Sequence, residues 1–201
     1  LHAVLAFGFG FCLTFEFWHL DFMKYQSIVF SSLPGAGKST LVKKLSEIYC
    51  WPVLSVGDLW REKWKKLHSD QEITFEEYWR TSSTSENLQV NADFREEVLK
   101  KNLIGDSRYS IYLRDIPVLL VFLTAGLDLR AKRGFGLEKY QGKSAEEIKK
   151  ILCQREVDET ATSKRLFNYD YRDPAYYHIT LNTGLLSQEE EITIIKGLVS
   201  P

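Results

Sequence analysis

The sequence predicts an α/β fold, a five-stranded parallel sheet with helices on both faces, and three observations predict it. Short apolar runs bounded by turn residues alternate with longer stretches of helical spacing, as in parallel sheets whose crossovers are helices. The run VLLVFL at 118–123 carries no polar residue, so it reads as a strand buried on both faces. A glycine-rich turn at 35–37 joins the first of the five strands directly to the first helix.

The elements follow in order. SIVFS at 27–31 is a buried strand, and 38–49 repeats apolar residues at helical spacing, with Leu41, Leu45 and Ile48 on one side. A short strand over 52–56 comes next, followed by helices over 59–67, 75–80 and 92–101. The third and fourth strands are 103–105 and 118–123, and a helix starts at 127. Ser144 with Glu147 forms a capping box that opens a long charged helix through about 165. A fifth strand over 178–181 and a closing helix over 188–198 complete the chain. The polar segments 62–101 and 134–173 are expected as two mobile subdomains over one core.

Of the 201 residues 44% are hydrophobic and 26% charged, enough for one sizeable domain. The formal net charge of −1 gives no electrostatic footprint for nucleic acid or an anionic membrane. Cys12, Cys50 and Cys153 are odd in number, widely spaced and without a metal-ligand pattern, which points to a reducing, cytoplasmic setting. Residues 1–22 stand apart. Leu1 to Phe15 are almost wholly apolar, yet the run is short for a membrane span and is followed by Glu16, His19 and Asp21. It also lacks a basic start and a small-residue cleavage site. Met23 is the single methionine, so the folded domain is expected to run over 23–201, with 1–22 an extension. A packed or membrane-contacting N-terminal helix is the alternative.

The chemistry concentrates at Pro34-Gly35-Ala36-Gly37-Lys38-Ser39-Thr40, between a strand and an amphipathic helix. Glycines let the backbone wrap a phosphate so that several N–H groups point at one anion, and the helix N-terminus adds favourable potential. Lys38 would neutralise the β/γ-oxygens, Ser39 would ligate Mg²⁺ accompanying ATP, and Thr40 would support the α-phosphate region. Ser32 stands where the phosphate-loop pattern has its first glycine, which predicts a different turn at the loop entrance. A bare GKS triplet would read as a surface turn with a stray lysine. Its second copy, Gly142-Lys143-Ser144, follows a polar stretch and reads as a helix start.

From Met23 to the final helix the chain resembles the cytidylate kinase family, particularly its short archaeal-like branch. The resemblance rests on the phosphate loop and on further segments. Ser55-Val56-Gly57-Asp58-Leu59-Trp60-Arg61 is similar to the family's S-x-G-D-x-x-R element, and Asp106-Ser107-Arg108 to its D-G-R or E-G-R element. Leu127–Arg133 resembles the helix entering the family's lid, and Gln154–Glu159 the helix returning from it. The resemblance implies a P-loop NTPase three-layer fold with a helical lid, an acceptor-binding insertion at about 62–101 and a lid at about 134–173. It further implies transfer of a phosphoryl group from Mg-ATP to a nucleoside monophosphate, CMP or dCMP first, by a monomer without nucleic-acid or stable membrane partners.

By the same resemblance Ser55, Gly57, Asp58 and Arg61 hold the acceptor, with Asp106 and Arg108. Lys38, Arg108, Arg130 and Arg155 surround the migrating group, with Arg133 a further lid arginine. Ser39 and Asp106 hold the metal, and Asn182-Thr183 pack against the donor base. Two positions depart from the family. Ser107 stands where the family usually has glycine, and the second returning-lid arginine would fall at Thr162, so Arg165, one turn on, is expected to replace it. The tyrosine-rich stretch 108–112 loosens the CMP assignment, while Ser32 and Thr162 speak for a loss of turnover, so two other readings stay open. One is a P-loop kinase for another small acceptor, the other a nucleotide-binding regulatory module without turnover.

Overall fold

The computed structural model describes residues 4–7, 11–14, 25–68 and 73–199. Within the expected extension, strands β1 (Val4–Phe7) and β2 (Phe11–Thr14) pair antiparallel, so the described residues there are strand and not helix. The expected domain start at Met23 lies outside the described residues.

The main sheet comprises β3 (Ser27–Ser32), β4 (Val53–Ser55), β5 (Ile104–Asp106), β6 (Val118–Thr124) and β7 (Ile179–Asn182). Their order is β4-β5-β3-β6-β7, and every pairing is parallel. The connections leave β3 towards one edge and then return to its other side, so a crevice opens at the carboxyl ends of the central strands, the usual ligand position in open α/β sheets. The register there aligns Asp106 with both Phe30 and Ser55, and Ser32 with Leu123.

Among the described residues seven α-helices accompany the sheet: α1 (Lys38–Tyr49), α2 (Val56–Leu67), α3 (Phe75–Thr81), α4 (Thr84–Leu99), α5 (Leu127–Gly134), α6 (Ala145–Phe167) and α7 (Gln188–Leu198). Side chains alternate across β3, which buries both faces. Ile28 and Phe30 join Leu41, Leu45 and Ile195 of α1 and α7, whereas Val29 joins Phe94 and Val98 of α4. Ile48, expected on the inner side of α1, is instead 44% exposed near its end.

Two further differences from the sequence reading concern helix starts. α2 begins at Val56, directly off β4, because the Ser55 hydroxyl accepts from the Asp58 amide and caps it. α4 begins at Thr84, eight residues earlier than expected, on a capping box between Ser83 and Glu86. The Ser144–Glu147 box does open α6 as expected, and Asn168 closes that helix in a left-handed conformation.

Candidate active site

The loop after β3 turns on Gly35 and Gly37, whose φ values are +81° and +93°. At Gly35 a Cβ would also press on the Arg130 backbone at 3.2 Å, so glycine is required for both conformation and space. Ser32 lies in the extended, buried end of β3, so the position needs no glycine and β3 continues through it. Loop carbonyls are held from outside the loop. Pro34 O accepts from Arg130 Nη1 at 3.1 Å, and Ala36 O from Thr183 Oγ1 at 2.8 Å and Arg133 Nη1 at 3.3 Å. With its oxygens anchored, the loop offers N–H groups, joined by the first-turn amides of α1 that have no intrahelical acceptor.

Lys38 begins α1 and its ammonium donates to Asp106 Oδ1 at the end of β5. Burial pushes the Lys38 ammonium below the usual lysine range, while the Asp106 carboxylate works against that shift. Ser39 and Thr40 are exposed on the same wall. Arg108 follows β5, donating to Ser32 O at 3.2 Å and pairing with Glu159 Oε2 at 3.0 Å. The Ser107 hydroxyl donates to Tyr109 O at 2.6 Å, a turn-holding bond that glycine would not supply.

Glu159, on α6, is a hub that the sequence did not single out. Its carboxylate is buried and also takes Arg155 Nε at 2.9 Å and the Tyr171 hydroxyl at 3.0 Å. Two arginines from different elements are thereby set side by side. One turn earlier, Glu156 pairs with buried Arg130 at 2.6 Å. Tyr109, beside this group, has its hydroxyl pushed up to about 12 by burial, with Glu159 adding to the shift.

On the opposite side Ser55, Gly57, Asp58 and Arg61 line the cleft at the start of α2. Arg61 pairs with Asp58 at 2.7 Å and lies over the Phe75 ring, 5.4 Å from its centroid, yet stays largely exposed. Asn87 and Asn91 of α4 complete this wall. The whole cleft encloses about 1550 Å³, room for two nucleotide-sized ligands.

Two expected residues are not brought to the cleft. Arg165 turns away from it and donates to Thr84 Oγ1 at 3.1 Å, while Thr162 bonds its own helix backbone at Asp158. Asn182 is exposed at the end of β7 and accepts from the Gly184 amide, whereas neighbouring Thr183 does line the cleft. Arg133 is drawn in more firmly than expected, with both terminal nitrogens 2.7 Å from Thr183 oxygens.

Among the described residues there is no cluster of three or more His, Cys, Asp or Glu that could hold a metal alone. The hydroxyl of Ser39 and carboxylate of Asp106 line one cleft and are hard oxygen donors. That set fits Mg²⁺, which takes most of its remaining ligands from water and substrate phosphate.

A parallel sheet with strand, glycine loop and lysine-bearing helix, facing a basic cleft, defines the P-loop kinase class. The cytidylate kinase-like family profile matches residues 27–185, and the chain belongs to that family. Similar relatives are the cytidylate kinase of Methanopyrus kandleri, 24% identical over 87% of this chain and 93% of that protein, and the cytidylate kinase of Desulfurococcus amylolyticus, 28% identical over 86% and 91%. An uncharacterized protein from Eubacterium ventriosum shares the fold at TM-score 0.65 and 16% identity, covering 86% of this chain and 97% of that one. A gluconokinase from Sinorhizobium meliloti shares it at 0.54 and 16%, covering 88% and 92%. Among the described residues no helix is long and apolar enough to cross a membrane.

Proposed function

We propose that this P-loop kinase transfers the γ-phosphoryl group of ATP to CMP or dCMP, giving ADP and the nucleoside diphosphate. One observation carries the reading beyond the family: carboxylates at the centre of the cleft are already engaged by cations. Asp106 is paired with Lys38, and Glu159 with Arg108 and Arg155. A hydroxyl acceptor needs a free base to take its proton. A phosphate acceptor, largely ionised at neutral pH with a second pKa of about 6, needs arginines instead.

In this mechanism a phosphate oxygen of CMP attacks the γ-phosphorus in line. The new O–P bond forms as the bond to the β–γ bridging oxygen breaks, and ADP leaves with that electron pair. The glycine loop and Lys38 hold the donor phosphates, and Arg108 and Arg155 clamp the acceptor phosphate against them. Arg130 and Arg133 hold the loop itself in shape. Ser39 and Asp106 would hold Mg²⁺, which supplies neutralisation of phosphate charge when bound. Closing α5 and α6 over the cleft excludes water, the competing acceptor.

A coupled ADP-release assay across nucleoside monophosphates tests the reading. CMP or dCMP is expected to give the highest kcat/KM. Turnover confined to another acceptor, or nucleotide binding without turnover, would overturn it.

A further inference from the structure

On the acceptor side the cleft wall is α4, which presents Asn87 and Asn91 one turn apart, on the face that continues to Phe94. Phe94 is wedged against Gly105, one residue before Asp106. A Cβ on Gly105 would lie 2.7 Å from Phe94 Cζ. This contact seats α4 against the end of β5, so Asn91 stands one turn and Asn87 two turns out from the strand that delivers Asp106 and Arg108.

Both carboxamides are buried, with 7% of Asn87 and 4% of Asn91 exposed. Asn87 Nδ2 donates to Ser82 Oγ and to the Ser83 carbonyl, each at 2.9 Å, and Asn91 Nδ2 donates to the Asn87 carbonyl at 2.7 Å. A main-chain carbonyl only accepts, so each amide must turn its nitrogen towards the helix backbone and its oxygen away from it. Asn91 Oδ1 then has no hydrogen-bond partner among the described residues. A buried carbonyl without a donor is costly to the fold and calls for a donor from another molecule.

We infer that Asn91, with Asn87 beside it, reads the acceptor base by accepting a hydrogen bond from its exocyclic amino group. The inference rests on the nucleoside monophosphate reading of the cleft and adds its selectivity. Cytosine and uracil have the same size and differ at position 4, where one carries an amino donor and the other a carbonyl acceptor. An Asn91 amide whose nitrogen is committed and whose buried oxygen lacks a partner pairs with the first and repels the second. Phe75 and Trp79 of α3 line the same side.

The test is kcat/KM for CMP and for UMP at saturating ATP, in wild type and in Asn91→Leu, a near-isosteric change that removes the unpaired carbonyl. Wild type is expected to prefer CMP. The variant is expected to lose about 10- to 100-fold with CMP and to stay within about threefold with UMP, so that the preference collapses. ATP affinity and the thermal midpoint are expected not to fall. Should Asn91→Leu not fold, Asn91→Ser gives the same readout, its short hydroxyl leaving position 4 without an acceptor. Equal losses with both substrates, or an unchanged CMP:UMP ratio, would assign Asn91 Oδ1 to a structural water and overturn the inference while leaving kinase activity intact. Wild-type enzyme that turns over neither CMP nor UMP would overturn the nucleoside monophosphate reading, and the inference with it.

Discussion

The donor and acceptor sides of the cleft are built differently. On the donor side the phosphate loop is locked by side chains from α5 and from the end of β7. Arg130 holds Pro34 O, and Arg133 with Thr183 holds Ala36 O, with Arg130 and Thr183 buried. On the acceptor side Arg61 and Asp58 meet at 2.7 Å with more than half of each side chain exposed, and Trp79 is 43% exposed. The donor wall is thus held in shape before a phosphate chain arrives, whereas the acceptor wall leaves Arg61, Asp58 and Trp79 open to solvent. Preorganisation of the donor wall reduces the reorganisation needed during transfer.

The contrast can be broken at several points. Lys38→Ala removes the buried cation between the two sides and is expected to lower kcat/KM by at least about a thousandfold in a coupled ADP assay. Arg155→Ala leaves Glu159 with one arginine partner and is expected to lower kcat about a hundredfold. Arg165→Ala, on a residue turned to Thr84, is expected to stay within about twofold. An equal loss in the two variants would place Arg165 in the cleft after all.

Arg133→Met and Arg61→Met separate the two walls directly. The first is expected to weaken ATP about tenfold without moving the CMP KM, and the second the reverse. Initial-rate kinetics varying each substrate in turn checks both.

The smallest effect is on stability. Burial pushes the Glu191 carboxyl above its ordinary value of 4.5, with Arg133 opposing. The folded state therefore binds this proton more tightly than the unfolded one, so its contribution is greatest below pH 4.5 and is lost as pH rises through the raised value. Glu191→Gln removes that loss. Its thermal midpoint is expected about 2 °C above wild type at pH 7, with the gap closing below pH 4.5.

The two sides also differed in how far the sequence disclosed them. Local pattern was enough for the donor loop: strand, glycines, lysine and amphipathic helix are contiguous, so their geometry follows from chain order. The five strands were legible for a similar reason, since runs such as VLLVFL admit little else. The start of α4 was not, because Ser82 to Ser85 read as a loop and Asn87, Gln89 and Asn91 interrupt the apolar period. What set the helix was the Ser83–Glu86 box and burial against β5, and burial is a tertiary fact. Glu159 was hidden likewise. It sits among ordinary charged residues of a long helix, and its partner Arg108 comes from a strand end 51 positions away. Arg165 is the reverse case: its spacing matches the missing arginine, yet it donates to Thr84 and does not line the cleft.

Transfer to a phosphate acceptor, as opposed to cleavage by water, can be followed by ³¹P NMR of the protein with Mg-ATP and CMP. A coupled pair of CDP phosphorus resonances is expected to grow in as ATP becomes ADP, with little inorganic phosphate. ATP consumption that yields inorganic phosphate while the CMP resonance persists would contradict it.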